Sequence, residues 1–95
     1  MRVISKSTLK EFWEKHSDSK SALEGWYYEV RDADWETSQD IKNRYSSASF
    51  LPGSIVVFNI KGRKYRLVVK VDYKFGIVFI RMIGTHKEYS KWKLK

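Results

Sequence analysis

The first half of the chain places apolar residues at the three- and four-residue steps that one face of a helix requires. In the first such stretch these positions are Leu9, Phe12, Trp13 and His16. Thr8 and Glu11 have the spacing of a capping box, so the pattern predicts a helix from about Thr8 to His16. A second stripe predicts a second helix, and its members are Ala22, Leu23, Trp26, Tyr27 and Val30. The aromatic members of both stripes, together with His16, are interpreted as core packing.

Shorter signals precede and follow the two helices. Residues 1–5 alternate in polarity and are consistent with an edge strand. Thr37 and Asp40 have the spacing to cap a third short helical turn. The stretch 46–54, which contains Pro52 and Gly53, is predicted to end that turn.

From Ile55 onward the pattern changes to runs of residues that favour strands. The runs are Ile55–Ile60, Tyr65–Asp72 and Ile77–Ile83. The segments between them, residues 61–64 and 73–76, suit short hairpin loops, so an antiparallel meander is predicted. The expected fold class is α+β, with two N-terminal helices packed on an antiparallel sheet made of the N-terminal strand and this three-stranded meander.

The loop lengths also predict a register, with Ile60 opposite Tyr65 and Asp72 opposite Ile77. Because directly opposed residues share a face of the sheet, two faces follow. The uncharged face, predicted to pack on the helices, carries Val56, Phe58, Ile60, Tyr65, Leu67, Val69, Val71, Val78, Ile80 and Met82. The mixed and basic face carries Ile55, Val57, Asn59, Arg66, Val68, Lys70, Ile77, Phe79, Arg81 and Ile83.

In this register Arg66 and Arg81 are diagonal neighbours on adjacent strands. Like charges placed so close cost stability, and a protein tolerates them where an anion such as phosphate neutralises them. The pair therefore predicts a phosphate-binding position, with two solvated arginines as the alternative. A loop one residue longer would move Arg81 to the other face.

Length and composition limit the possibilities further. At 95 residues the chain is short for one domain, so a single domain over residues 1–95 is predicted. The absence of cysteine excludes disulfides, thiolate metal sites and a cysteine nucleophile, and it fits a reducing compartment. The N-terminal segment lacks the apolar core of a secretory signal, and no stretch approaches the roughly 18 apolar residues of a membrane span. We therefore expect a cytoplasmic protein without membrane contacts.

The net charge of +8 is confined to the second half of the chain. Residues 1–50 carry 8 Lys/Arg against 9 Asp/Glu, a net of −1, whereas residues 51–95 carry 11 against 2, a net of +9. This asymmetry indicates a polyanionic partner, either a nucleic acid or an acidic protein, contacted mainly through the second half. A basic surface that only promotes solubility is the alternative.

The segment Gly84–Tyr89 follows the third run and brings proton-active groups together. Its imidazole, ammonium, carboxylate and phenol belong to His86, Lys87, Glu88 and Tyr89. Histidine can give and take protons near neutrality, as attack by a 2′-hydroxyl on an RNA phosphate requires. Arg66, Arg81 and Lys87 are candidates to hold the phosphate, and Tyr89 is a candidate to stack on a base or donate to a phosphate oxygen.

Other chemistries find little support in the sequence. Two histidines without cysteine or a paired carboxylate spacing argue against a zinc site, so neither a metal nor a cofactor is expected. The chain has neither a G-x-x-x-x-G-K-[ST] loop nor a G-x-S-x-G turn, which argues against nucleoside triphosphate chemistry and serine hydrolysis. Taken alone, His86 also fits a capping or surface residue at a strand end.

Three segments carry a more specific signal. They are MRVISKSTLKEFWEKH at 1–16, VFNIKG at 57–62 leading into KYRLV at 64–68, and FIR at 79–81 followed by GTHKEY at 84–89. Together they resemble the HigB-type toxins of the RelE/ParE-like superfamily, bacterial type II toxins that cleave mRNA, typically on the translating ribosome. The resemblance covers nearly the whole chain. It implies a RelE-like fold whose exposed concave sheet face holds mRNA, and a metal-independent cut by 2′-hydroxyl attack.

The resemblance also implies partners and site residues. The expected partners are mRNA, the ribosome and a cognate helix-turn-helix antitoxin of the HigA type, which inhibits the toxin and represses their shared operon. Operator DNA is then contacted only through the antitoxin. The catalytic candidates are His86, Arg81, Arg66 and Tyr89. The RNA-binding candidates are Asn59, Lys61, Arg63, Lys64, Lys70 and Lys87.

One position departs from the family pattern, which commonly has an aspartate after the Glu-Tyr pair where this chain has Ser90. This chain therefore has no carboxylate at that position. The basic tail at 91–95 either extends the RNA surface or stays disordered. Two other functions remain open from the sequence: a non-catalytic RNA-binding module that uses the same face, and a gyrase-poisoning toxin of the ParE kind.

Overall fold

The computed structural model describes residues 1–92, which form five strands and four α-helices. In chain order they are β1 (Arg2–Ile4), α1 (Lys6–Lys15), α2 (Lys20–Asp32), α3 (Ser38–Arg44), β2 (Ser49–Leu51), β3 (Ile55–Ile60), β4 (Tyr65–Asp72), β5 (Ile77–Thr85) and α4 (His86–Tyr89). A 3₁₀ turn at Ser17–Ser19 joins α1 to α2. The last three residues of the basic tail, 93–95, lie outside the described residues.

Both predicted N-terminal helices are confirmed, but the predicted start of α1 was wrong. Ser5 is the N-cap, in the left-handed conformation with φ of 76° and no side-chain cap hydrogen bond. The Thr8 N–H donates to the Ser5 carbonyl over 3.0 Å, so Thr8 already lies inside the helix and does not cap it. The predicted capping box of Thr37 and Asp40 is present and begins α3.

The hydrophobic core lies between the helices and one face of the sheet. Phe58 is central to it, with the ring centroids of Trp26, Trp35 and Tyr45 at 5.4, 6.3 and 5.1 Å. The predicted helix-facing residues of β3 and β4 are all buried, namely Val56, Phe58, Ile60, Tyr65, Leu67, Val69 and Val71. The other side of the sheet, called the outer face below, carries the alternating residues Val57, Asn59, Arg66, Val68 and Lys70.

The sheet has the order β1-β5-β4-β3-β2 and is mixed, so the prediction of a wholly antiparallel sheet was wrong. β1 pairs in parallel with β5, with Arg2 opposite Ile77. The sequence of a three-residue strand does not encode the direction in which the strand pairs. A fifth strand, β2, lies in the stretch predicted only to end a turn, and it forms an antiparallel hairpin with β3 in which Ser49 lies opposite Val57.

A β-bulge interrupts the pairing of β4 with β5. Val69 lies opposite Ile80, as the loop lengths predicted, but the preceding residue Val68 lies opposite Met82. Arg81 is therefore the extra residue of β5 and has no partner in the ladder. Such an insertion bends the strand and shifts every later residue by one position.

Beyond the bulge the two faces of β5 are exchanged relative to the prediction. Ile83 packs against the core, although it was assigned to the basic face. Met82 shares the outer face with Val68, although it was assigned to the helix-facing side. Both assignments were wrong for the same reason: a strictly alternating pattern does not account for the residue that the bulge inserts.

Candidate active site

Arg66 of β4 and His86, the first residue of α4, are in direct contact. Nη2 of Arg66 lies 2.8 Å from Nδ1 of His86, and Nη1 donates to the carbonyl of Arg63 over 2.8 Å. A guanidinium can only donate hydrogen bonds, so Nδ1 of His86 must accept this one. In this contact His86 is therefore a neutral imidazole with its proton on Nε2.

His86 is positioned by a second capping box, which the sequence analysis missed. The Thr85 N–H donates to Oε1 of Glu88 over 2.9 Å, and the Glu88 N–H donates to Oγ1 of Thr85 over 3.2 Å. The His86 N–H donates to the carbonyl of Lys64 over 3.2 Å. Hydrogen bonds from Thr85 lower the pKa of Glu88, so its carboxylate stays charged as a cap. The spacing of Thr85 and Glu88 was the signal that could have predicted this turn.

Two aromatic side chains continue the site beyond Arg66. The guanidinium carbon of Arg66 lies 5.6 Å from the centroid of the Tyr89 ring, within cation–π range. Tyr89 packs edge-on against Trp92, with a centroid separation of 5.8 Å. Trp92 lies on Gly84, where a Cβ atom would come within 2.8 Å of the indole ring. Because Gly84 lies opposite Arg66 in the sheet, its missing side chain makes room for Trp92 on the outer face.

An open groove of about 640 Å³ lies beside this cluster. Its walls are formed by the end of α1 with the 3₁₀ turn, by the start of β4 and by the start of α4. The lining residues are Lys15, His16, Ser17, Asp18, Lys64, Tyr65, Thr85, His86 and Lys87. Three lysines against one aspartate give the groove an excess of positive charge, which suits a phosphate group.

Asp18 ties the 3₁₀ turn to the hairpin between β3 and β4. The Tyr65 hydroxyl donates to Oδ1 of Asp18, Lys64 donates to Oδ2, and the Lys61 ammonium lies 3.5 Å from Oδ2. The hydrogen bonds from Lys64 and then Tyr65 hold the pKa of Asp18 well below its usual range. Lys61 and Lys64, both predicted to bind RNA, therefore have part of their charge neutralised. Asp18 was missed because its partners lie more than 40 positions away in the sequence.

Of the other predicted RNA-binding residues, all but Lys70 lie near the same end of the sheet. Lys87 lines the groove next to His86. Arg63 offers its backbone carbonyl to Arg66. Asn59 lies opposite Arg66 in the sheet, and its amide donates over 3.3 Å to a carbonyl of the segment before β2. Lys70 is exposed farther along β4.

Arg81 is not the diagonal neighbour of Arg66, so that prediction was wrong. Arg66 lies opposite Gly84, which is three residues beyond Arg81, because the bulge inserts one position. Arg81 is exposed at the bulge. The structure thus brings Arg66, His86 and Tyr89 together and places Arg81 apart from them along β5.

His16 also lines the groove, although the sequence suggested only core packing. Its ring stacks on Phe12 with a centroid distance of 4.4 Å and meets Tyr65 edge-on at 5.5 Å. The side chain is half-buried. Both histidines of the chain therefore line one groove.

The fold and the groove define a small α+β protein with an Arg–His pair at one end of a basic sheet. A family model described as HigB_toxin, RelE-like toxic component of a toxin-antitoxin system, matches residues 19–92. The chain therefore belongs to the HigB toxin family, and its family implies an antitoxin partner. The matched range contains the segments 57–68 and 79–89 that carried the resemblance, whereas the opening 1–16 lies outside it. No curated protein matches the chain.

Two further findings concern the described residues. Residues 1–92 contain no group of three or more His, Asp or Glu side chains that could hold a metal ion. No helix within the same range is long and apolar enough to cross a membrane.

Proposed function

We propose that this toxin is an endoribonuclease that cuts mRNA on the translating ribosome and thereby inhibits translation. The contact between Arg66 and His86 beside a basic groove is the observation that carries the proposal. Cleavage of RNA by its own 2′-hydroxyl needs a cation that stabilises charge on the phosphate and a group that transfers protons near neutral pH. This pair supplies both.

In the proposed mechanism, binding of Arg66 to the phosphate frees His86 to act as the general base. In the free protein its guanidinium occupies the Nδ1 lone pair of His86. When the guanidinium turns to the scissile phosphate, that lone pair is free to accept the proton of the 2′-hydroxyl. The 2′-oxygen then attacks phosphorus and the bond to the 5′-oxygen breaks. The 5′-oxygen takes up a proton from an acid of the site or from water as it leaves, so the products are a 2′,3′-cyclic phosphate and a 5′-hydroxyl, and no metal ion is required.

The neighbouring side chains bind and orient the RNA. Tyr89 offers a ring on which a base can stack, or a hydroxyl for a phosphate oxygen. Arg81, exposed at the bulge, contacts a phosphate farther along the strand. The remaining RNA contacts come from Asn59, Lys61, Arg63, Lys64, Lys70 and Lys87.

The proposed partners follow from the family and the chemistry. The antitoxin is a helix-turn-helix DNA-binding protein of the HigA type that inhibits the toxin and represses their operon, so operator DNA is reached only through it. The excess positive charge of the groove supports mRNA as the substrate. The toxin acts in the cytoplasm, where translating ribosomes present that substrate.

Incubation of the purified protein with a defined mRNA, with and without translating ribosomes, tests the proposal. We expect cleavage when ribosomes are present, and a rate lowered by about 10²-fold or more in His86→Ala. RNA that is bound with a steep salt dependence but stays intact would indicate a non-catalytic RNA-binding module instead. DNA damage without loss of mRNA in expressing cells would indicate a gyrase poison.

A further inference from the structure

We propose that His16 is the second proton-transfer residue of this site, the general acid that protonates the leaving 5′-oxygen while His86 accepts the proton of the 2′-hydroxyl. The inference rests on the proposed cleavage of RNA. The placement of both histidines on the lining of one groove carries it.

The two histidines reach the groove from different walls. His16 follows the last residue of α1, and its N–H donates to the carbonyl of Phe12 over 2.8 Å. The ring of Phe12 stacks on it and the ring of Tyr65 meets it edge-on, so its plane is fixed from two sides. His86 belongs to α4, and the start of β4 also lines the groove.

The reaction moves two protons at two different oxygens. One proton leaves the 2′-hydroxyl as its oxygen bonds to phosphorus. The other must reach the 5′-oxygen as its bond to phosphorus breaks, because that oxygen otherwise leaves as an alkoxide. In an in-line displacement the attacking and leaving oxygens lie on opposite sides of phosphorus, so two groups on different walls of the groove serve better than one.

The other titratable groups of the groove are less suited to give a proton. Lys64 and Tyr65 hold the pKa of Asp18 well below its usual range, so Asp18 is a carboxylate at neutral pH. The same hydrogen bonds to Asp18 raise the pKa of Lys64 and of Tyr65, which therefore hold their protons more tightly. Lys15 and Lys87 are ammonium groups on flexible stems, which bind phosphate as point charges.

The surroundings of His16 combine cations with two carboxylates, each of which accepts a hydrogen bond from a neighbour. Besides His86, the charged and titratable groups that line the groove are Lys15, Asp18, Lys64, Tyr65 and Lys87, and Glu88 lies within charge range of His16. His16 adds to the lowering of the Glu88 pKa that hydrogen bonds from Thr85 dominate. With His86 assigned as the base, the imidazole of His16 is thus the remaining group of the groove suited to carry a proton to the leaving oxygen.

Single-turnover cleavage of a defined mRNA on translating ribosomes tests the role of His16. His16→Phe keeps the aromatic stack on Phe12 and removes the titratable ring. If His16→Phe does not unfold cooperatively, His16→Gln is used in its place. Lys10→Gln, on the exposed side of α1, is the matched control. We expect the histidine variant to be slower by about 10²-fold or more and the control to stay within a few-fold of the wild type.

Two readouts separate proton transfer from a structural role. The wild-type rate should rise and then fall with pH, and His16→Phe should lose the fall at high pH, because only an acid must remain protonated. A substrate with sulfur in place of the scissile 5′-oxygen releases a thiolate that needs no proton. His16→Phe should cut that substrate within a few-fold of the wild-type rate, whereas His86→Ala should remain slow.

The outcomes distinguish the two proposals. A His16→Phe protein that matches the wild type on the oxygen substrate, or that stays slow on both substrates, overturns the role of His16 alone. A wild-type protein that cuts no RNA overturns the proposed function, and this inference with it.

Discussion

The guanidinium of Arg66 and the imidazole of His86 meet at 2.8 Å where β4 lies beside the start of α4. His86 accepts this hydrogen bond, so protonation of Nδ1 and contact with Arg66 exclude each other. In this contact Nδ1 of His86 is an acceptor, as a general base requires. An anion that draws the guanidinium of Arg66 away leaves Nδ1 of His86 free to accept a proton.

The proton position on His86 is the first consequence that can be measured. Nitrogen NMR of the ring at about pH 8, above the usual range of imidazole titration, should show the proton on Nε2 in the wild type. Arg66→Ala removes the donor to Nδ1, so the two tautomers should become mixed. Arg81→Ala should leave the wild-type tautomer unchanged. A wild-type ring protonated on Nδ1 would contradict the contact.

Arg66 and Arg81 should differ in their effect on cleavage. Arg66→Ala removes the cation next to the base, so we expect a loss of about 10²-fold or more in the single-turnover rate. Arg81 lies apart at the bulge, so Arg81→Ala should cost about tenfold at most and should lower the salt slope of RNA binding by about 0.7. Equal losses in rate for both variants would show that both guanidiniums act on the same phosphate.

Asp18 should make stability depend on pH in the acid range. Its pKa is lowered in the folded state, chiefly by Lys64, so its stabilising effect is fully present above the unfolded pKa of roughly 3.9. That effect is lost as the pH falls toward the folded pKa. We expect a higher urea midpoint for the wild type than for Asp18→Asn at neutral pH, with the difference shrinking below about pH 4.

The control for Asp18 is a second acidic residue without these contacts. Glu14 lies exposed on α1, and Glu14→Gln should leave the urea midpoint nearly unchanged at every pH. A difference between wild type and Asp18→Asn that stays constant from neutral to acid pH would rule out the carboxylate as its source.

Gly84 should be essential for the position of Trp92. An added Cβ would lie 2.8 Å from Cζ2 of Trp92, so Gly84→Ala should push the indole off the sheet. The other three tryptophans are at most 9% exposed, so iodide quenching of the emission reports mainly on Trp92. We expect quenching to rise in Gly84→Ala and to stay unchanged in Gly25→Ala, where a Cβ meets nothing within 4 Å. Trp92→Phe should remove most of the quenchable emission.

Much of the fold was predictable because the positions of β3 and β4 that face the helices are all apolar or aromatic. Ile60 lies opposite Tyr65 and Asp72 opposite Ile77, as the loop lengths predicted. The bulge at Arg81 was not predictable in this way, because Met82 and Ile83 are both apolar and fit either face. The direction of β1 also lay beyond the pattern, since pairing between the two ends of the chain sets it.

The residues of the site were easier to predict from the sequence than their arrangement in space. The cluster from His86 to Tyr89 stood out by its residue types, and Arg66 by its place on the basic face. His16 and His86 line the same groove because of how α1 packs against the sheet. That packing cannot be predicted from a local sequence pattern. Asp18 meets Lys64 and Tyr65 only in the folded chain.

The most direct test of the account is the removal of a single 2′-hydroxyl from the substrate. An mRNA with ribose throughout and one with a deoxyribose at the cut nucleotide are compared on translating ribosomes with the wild-type toxin. We expect the first to be cut to a 2′,3′-cyclic phosphate and a 5′-hydroxyl, and the second to stay intact at that position. Cleavage of the deoxyribose substrate at a comparable rate would contradict attack by the 2′-hydroxyl.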